Sequence, residues 1–168
     1  KRKVKKEEIT IRSLLSKVLL ESSKKYPTSR LMAIETENLY NLSLNSSSFL
    51  SGNYAIISLE TLFLNDEWVD DNLFEQSIDF LLDIINNPHV ENNSFFEKSF
   101  NLAKASLEQE LNTIKDNPNR YSMFRLKEEI DPKSPLAFNG VGYLKDLEKI
   151  TPQKLYEYYK TMLISDHI

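Results

Sequence analysis

Apolar residues in the first part of the chain recur at helical spacing. Ile11, Leu14, Leu15, Val18 and Leu19 fall on one face, because residues three and four apart stack along an α-helix. The spacing predicts a helix over about residues 10–22. Pro27 stops it, and Thr28 or Ser29 supplies a hydroxyl to cap a second helix reaching about Leu39. The period then changes. Leu42, Leu44, Phe49 and Leu50 alternate loosely with serine and asparagine, and Tyr54, Ile56, Leu59 and Leu62 continue beyond Ser51-Gly52-Asn53. Two β-rich runs around a glycine turn, over residues 42–63, read as a hairpin and as the one clear strand pair in the sequence.

From there the pattern is helical almost to the end. Asp66 is placed to cap a helix running to about Asn86, with Leu73, Ser77, Phe80, Leu81 and Ile84 inward, and Asn87-Pro88 closes it. Ser94 followed by Glu97 matches a capping box. It precedes the best helical stripe, Phe96, Phe100, Ala103, Leu107, Leu111 and Ile114. Asp116-Asn117-Pro118-Asn119 breaks that helix, and another follows from about Arg120 to Ile130. A loop then carries Pro132, Pro135, Gly140 and Gly142. Thr151-Pro152 offers an N-cap with proline at the first helical position, and the last helix buries Leu155, Tyr158, Tyr159 and Met162. The expected fold is α+β: an antiparallel sheet centred on the hairpin, with helices packed on one face.

Composition narrows the functions this fold can carry. A chain of 168 residues is expected to form a single domain with a core of its own. It holds no cysteine, which excludes disulfides and thiol nucleophiles, and only two histidines, His89 and His167, far apart in sequence. A three-histidine metal site is therefore excluded. The net charge of −4 is that of an ordinary polar surface and argues against a nucleic-acid partner. No apolar run approaches the roughly 20 residues of a membrane span, and no secretory signal follows the basic opening Lys1–Lys6. That opening segment reads as a solvated loop or strand end, and the cytoplasm is the expected compartment.

Catalytic motifs are missing. The chain has three glycines, and Gly140-Val141-Gly142 is too short for a dinucleotide fingerprint. Glu108 and Glu110, and then Glu128 and Glu129, read as solvated helix surface. His89 reads as a surface histidine in a turn after Asn87-Pro88. Trp68 and the tyrosines could line a peptide groove, but aromatic residues at helical spacing are usually core.

The order of landmarks resembles the first half-domain of the insulinase-like (pitrilysin, M16) peptidases. The likeness runs from Leu14-Leu15 through Tyr26-Pro27-Thr28-Ser29-Arg30 and Glu37-Asn38-Leu39-Tyr40 to the glycine-turn hairpin. It continues through the run from Phe80 to Pro88, Asp116-Asn117-Pro118, Gly140-Val141-Gly142 and Ile150-Thr151-Pro152, and ends at Tyr158–Leu163. Within the family the chain is most similar to bacterial processing-protease-like members without catalytic residues, including those associated with aminopentanol modification of elongation factor P.

Active members of this family carry His-x-x-Glu-His on the first helix and a further glutamate on a later one. Two histidines four apart share a helical face and grip Zn²⁺, while the glutamate between them activates the bound water. The resemblance puts those three positions at Ser13, Ser16 and Lys17, with Ser22-Ser23-Lys24 standing at the family's Gly-Thr turn. The downstream glutamate matches Glu108 or Glu110. The resemblance thus implies no catalytic residue and no zinc ligand set in this chain, and hence no cofactor.

It also implies one half-domain over residues 1–168, cut short at both ends of a longer chain. The expected partner is a second half or subunit, with a peptide substrate enclosed between the two. An open hairpin edge further suggests a homodimer of the isolated chain. Two alternatives stay open: a fragment of an active zinc peptidase whose motif lies elsewhere in the parent, and an unrelated interaction module.

Overall fold

The computed structural model describes residues 1–69, 72–132 and 134–168. Strand β1 (Arg2–Lys3) leads into helix α1 (Ile9–Glu21), followed by α2 (Ser29–Asn38), β2 (Ser43–Ser51) and β3 (Tyr54–Leu62). Helix α3 (Leu73–Asn86), the short strands β4 (Val90–Glu91) and β5 (Ser94–Phe95), and helix α4 (Glu97–Thr113) come next. Helices α5 (Pro118–Ile130), α6 (Leu144–Leu147) and α7 (Pro152–Ser165) complete the chain.

The sheet is antiparallel with strand order β1-β3-β2. β2 and β3 form the expected hairpin, in register from Ser43–Leu62 to Ser51–Tyr54, with Gly52 at φ 55° in the turn. Only glycine takes that left-handed conformation without steric cost. Positions 44, 46, 48 and 50 of β2 point toward the helices while 43, 45, 47, 49 and 51 are exposed, so the helices cover one face. The basic opening segment supplies β1, which pairs Arg2 with Ala55 and Lys3 with Tyr54 and so covers the turn end of the β3 edge.

Local chemistry places most helices where the sequence predicts them. Thr28 caps α2 by accepting from the Leu31 N–H at 3.2 Å, and Thr151 caps α7 by accepting from the Lys154 N–H at 3.2 Å. Several expectations need correction. Asp66 does not open α3: residues 66–68 form a separate 3₁₀ turn, and the helix starts at Leu73 behind Asn72. Asp66 still accepts from the Phe74 N–H at 3.1 Å, so it caps the helix from outside. Asp70 and Asp71, inside the expected helix, lie outside the described residues.

The Ser94–Glu97 capping box is not formed. Ser94 belongs to a second hairpin, β4–β5, whose turn residues Asn92 and Asn93 both have positive φ, the conformation of a type I′ turn. Helix α5 begins at Pro118 rather than near 120, because proline without its N–H is tolerated at the first helical position. Trp68 is 80% exposed and takes no part in the core.

Helix α1 is the centre of the molecule. It packs against β2 and β3 on one side and against α4, α6 and α7 on others. Leu14, Leu15, Val18 and Leu19 join Phe80, Ile84, Phe100, Leu107, Leu147 and Leu155 in one core. Thr10, Arg12, Ser13 and Ser16 are buried too, so α1 is enclosed nearly all round rather than on a single face.

The loop before α6 rests directly on the first turn of α1. Gly142 has φ 112°, and a Cβ there would lie 2.7 Å from the Thr10 Cα. The next N–H, of Tyr143, donates to the Thr10 Oγ1 at 3.0 Å. Gly142→Ala is therefore expected to cost about 2 kcal/mol, the sum of a strained backbone and a clash with main chain that no rotamer relieves. Gly52→Ala, with open space around its Cβ, should cost less, about 1 kcal/mol. Urea denaturation of both variants checks this, and equal losses would remove the close-approach argument.

Candidate functional site

The three positions that the resemblance assigns to the metal motif lie on the face of α1 turned toward α4 and β2. Ser13 and Ser16 are buried, at 3% and 2% exposure, and the Ser16 hydroxyl donates to the Ser13 carbonyl at 2.9 Å. The Ser46 hydroxyl of β2 donates to the Ser16 carbonyl at 2.8 Å, which ties the sheet to the helix at this point. Lys17 extends across to α4, and its Nζ lies 3.1 Å from the Glu110 Oε2.

This geometry decides between the two glutamates that the sequence leaves open. Glu110 faces the α1 positions, whereas Glu108 is exposed to solvent. The spacing of two residues on a helix turns the carboxylates about 200° apart, so only one of them reaches α1.

A zinc ion does not fit this donor set. Zn²⁺ takes thiolate, imidazole or carboxylate ligands, usually at least three from the protein. Here two hydroxyls and an ammonium stand with one carboxylate, and the ammonium already supplies the positive charge beside it. Among the described residues no three His, Cys, Asp or Glu side chains are grouped to hold a metal ion. His89 lies in another part of the fold, half-buried rather than on the surface, stacked on Phe96 at 4.3 Å with its Nε2 3.6 Å from Glu91. His167 lies beyond α7, where its N–H donates to the Lys1 carbonyl at 2.9 Å.

The segment that follows α1 is held by serines. The Ser22 and Ser99 hydroxyls bond at 2.7 Å, and Ser23 donates to Asp83 at 3.0 Å. These bonds fix the end of α1 to α4 and α3. Beside the Lys17–Glu110 pair a cavity of about 430 Å³ opens between β2, α5 and the loop through Gly140, lined by Leu50, Met123, Phe124, Leu136 and Phe138. Its lining mixes those apolar side chains with Glu110, Lys127 and Asn139, a combination that suits a ligand with both apolar and polar groups. Nothing in the sequence pattern pointed to it, because its walls combine β2 with α5 and the loop through Gly140, which are distant from β2 in the sequence.

A second polar cluster lies under the opposite end of α1. Arg12 is 1% exposed; its Nη1 donates to the Tyr158 hydroxyl at 3.1 Å and its Nη2 to Asp166 at 2.8 Å. Burial lowers the pKa of the guanidinium, but the Asp166 hydrogen bond and the proximity of Tyr158 outweigh it, and the net shift is upward. Burial pushes the Tyr158 hydroxyl up to about 12, with the Arg12 charge opposing it. Tyr158 donates onward to Glu8 at 2.9 Å, and Glu8 meets Arg2 at 3.2 Å. This network joins β1, α1, β3 and α7 and has the character of a structural tie.

No family model matches the chain. It is 27% identical over 165 residues to the probable inactive metalloprotease YmfF of Bacillus subtilis strain 168, an alignment covering 97% of this chain and 39% of that protein. It is 29% identical over 87 residues to the uncharacterized zinc protease YmfH of the same organism, covering 52% of this chain and 19% of that one. The crystal structure of a conserved protein from Enterococcus faecalis V583 superposes with a TM-score of 0.87 at 25% identity, over 96% of this chain and 38% of the other.

The periplasmic protease PqqL from Escherichia coli shares the fold, with a TM-score of 0.65 at 14% identity over 94% of this chain and 16% of that one. The chain therefore spans less than half the length of each of these proteins. Together with the order of landmarks along the sequence, these likenesses make the chain M16-like: it is similar in sequence and fold to part of the insulinase-like proteins.

Proposed function

We propose that this chain is a non-catalytic half of an insulinase-like protein, which encloses a peptide together with a second half or subunit and does not cut it. The observation that carries the reading is the Lys17–Glu110 pair at 3.1 Å, which sets an ammonium beside the carboxylate where active relatives need a metal cation. Likeness over nearly the whole chain to a protein named a probable inactive metalloprotease supports it. So does the cavity of about 430 Å³ beside the pair, whose lining mixes apolar side chains with Glu110, Lys127 and Asn139. No helix among the described residues is long and apolar enough to cross a membrane, and the lack of cysteine favours the cytoplasm.

Metal content tests the reading directly. After dialysis against a zinc-containing and then a zinc-free buffer, elemental analysis should find far less than one zinc per chain, and a quenched fluorogenic peptide should stay intact. One tightly held zinc per chain, or cleavage abolished by a chelator, would overturn it. A second reading rests on the 39% coverage of the longer relative: the chain is part of a protein whose zinc motif lies outside these 168 residues. The same measurements on the full-length protein separate the two, since only the second predicts stoichiometric zinc there.

A further inference from the structure

The net charge of −4 hides a division along the chain. From residue 31 to residue 97 it holds twelve Asp and Glu and neither Lys nor Arg, so every base lies on the flanking segments. Helix α3 stands within the acidic part. It buries Leu73, Ser77, Phe80 and Ile84, yet leaves Phe74 59% and Leu82 46% exposed, with Ile78 half-buried between them. Spacings of four set these three in one ridge along the outer side of the helix, and Glu75 and Asp79 form the adjacent row.

The ridge continues past the helix start. Asp66 accepts from the Phe74 N–H, and the Phe63 ring lies 6.1 Å from that of Phe74, which brings the turn carrying Trp68 up to the first turn of α3. Trp68 is the only tryptophan in the chain and is 80% exposed. Single exposed apolar residues are ordinary, but a run of them beside a tryptophan is the form of a docking surface. None of these residues lines the cavities beside Lys17 and Glu110.

We propose that the outer face of α3, together with the Trp68 turn, docks a basic amphipathic helix of a partner protein. The partner's apolar side chains pack against the Phe74–Ile78–Leu82 ridge, and lysines or arginines beside them pair with Glu75 and Asp79. This surface is separate from the peptide-enclosing role proposed above and does not depend on it.

Two features select this partner. The main chain of α3 is hydrogen-bonded within the helix, so an extended chain finds no strand edge there. A second helix meets ridge with groove over the roughly 12 Å from Phe74 to Leu82. Charge sets the sign: Glu75 bonds to Asn72, and no base lies on this part of the chain. An anionic lipid surface or a nucleic acid would be repelled by the same row. A second copy of the chain is a poorer fit. Its exposed stripe of Met123, Leu126 and Ile130 lies on α5, whose Arg125 is already paired with Glu128 and Glu129.

The emission of Trp68 reports occupancy directly. A tryptophan-free synthetic helix of about five turns, with leucine at three-and-four spacing and lysine elsewhere, should shift it to shorter wavelength in a saturable way. The same peptide with glutamate in place of lysine should not. Asp79→Lys should weaken binding at least about tenfold, since repulsion replaces attraction, and Leu82→Ser about fivefold. Both side chains lie outside the core, so circular dichroism should show both variants folded. Leu136→Asp, in the larger cavity, should leave binding unchanged.

A shift unaffected by Asp79→Lys and Leu82→Ser, or given equally by the glutamate peptide, would overturn this inference and leave the proposed function standing. A shift on concentrating the chain alone would overturn the choice of partner in favour of a second copy. Binding by these 168 residues but not by a longer parent protein would overturn it in favour of the parent's own chain. No shift with either peptide, from folded chain, would remove the docking surface altogether.

Discussion

Arg12→Ala should lower the unfolding free energy by about 3 kcal/mol, as expected when one member of a buried ion pair is removed and the other is left behind. Arg12 is 1% exposed and its partner Asp166 11%. Without the guanidinium, Asp166 loses its bond at 2.8 Å and keeps the more distant Arg2, at 3.9 Å, and the carbonyl of Ala55 loses its contact at 3.4 Å with Nη2. Tyr158 retains its bond to Glu8, which holds the loss toward the lower end of the range for buried pairs.

Arg12→Met retains most of the stem volume and isolates the charge, so it should recover less than half of that loss. Arg12→Lys should also be destabilising, because one ammonium cannot reproduce the fork that reaches Tyr158 and Asp166 together. Urea titration monitored by circular dichroism measures all three. A loss below about 1 kcal/mol for Arg12→Ala would mean that water replaces the guanidinium, and that the cluster is not the tie between the two ends of the domain.

The triple variant Ser13→His, Ser16→Glu, Lys17→His should bind one Zn²⁺ per chain, with a dissociation constant on the order of 1 μM or tighter. Histidines introduced four apart share one helical face, and replacing Lys17 puts an imidazole where the ammonium stood 3.1 Å from the Glu110 carboxylate, which then serves as the third ligand. The unaltered chain should show no saturable zinc binding below about 1 mM, so the expected gain is on the order of a thousandfold.

Isothermal titration reads the affinity, and circular dichroism shows whether the crowded helix still folds. Adding Glu110→Gln to the triple variant should remove most of the gain, and adding Glu108→Gln should not. The reverse pattern would show that α1 and α4 are set in a different rotation from the one described. Zinc binding equal in both would show that the ion sits on the histidines alone.

Much of the architecture was legible along the chain because it depends on short-range rules. The three-and-four spacing of Leu14, Leu15, Val18 and Leu19, the hydroxyls of Thr28 and Thr151 at helix starts, and Gly52 between two β-rich runs each act within a few residues. The missing histidine pair was legible for the same reason, since a metal motif on one helix is a matter of spacing. Errors arose where two local rules competed. Ser94 and Glu97 could form a capping box, but Asn92-Asn93 prefers the left-handed turn of a hairpin, and the hairpin prevailed. Asp66 could open a helix, and instead caps α3 across a separate turn.

Long-range packing decided what no spacing encodes. Arg12 sits one position beyond Ile11 on a helix that reads as amphipathic, and is nevertheless fully buried, because Tyr158 and Asp166 arrive from about 150 residues away to pair with it. Glu108 and Glu110 are equivalent in the sequence; the rotation of α4 against α1 selects Glu110. The cavity beside that pair exists only once β2, α5 and the loop through Gly140 have come together. A charged or polar side chain is worth little on a solvated face and a great deal when desolvated beside a partner. The sequence by itself determined most of the elements and that no His-x-x-Glu-His run occurs within these 168 residues, and the tertiary structure determined which polar residues lost their water.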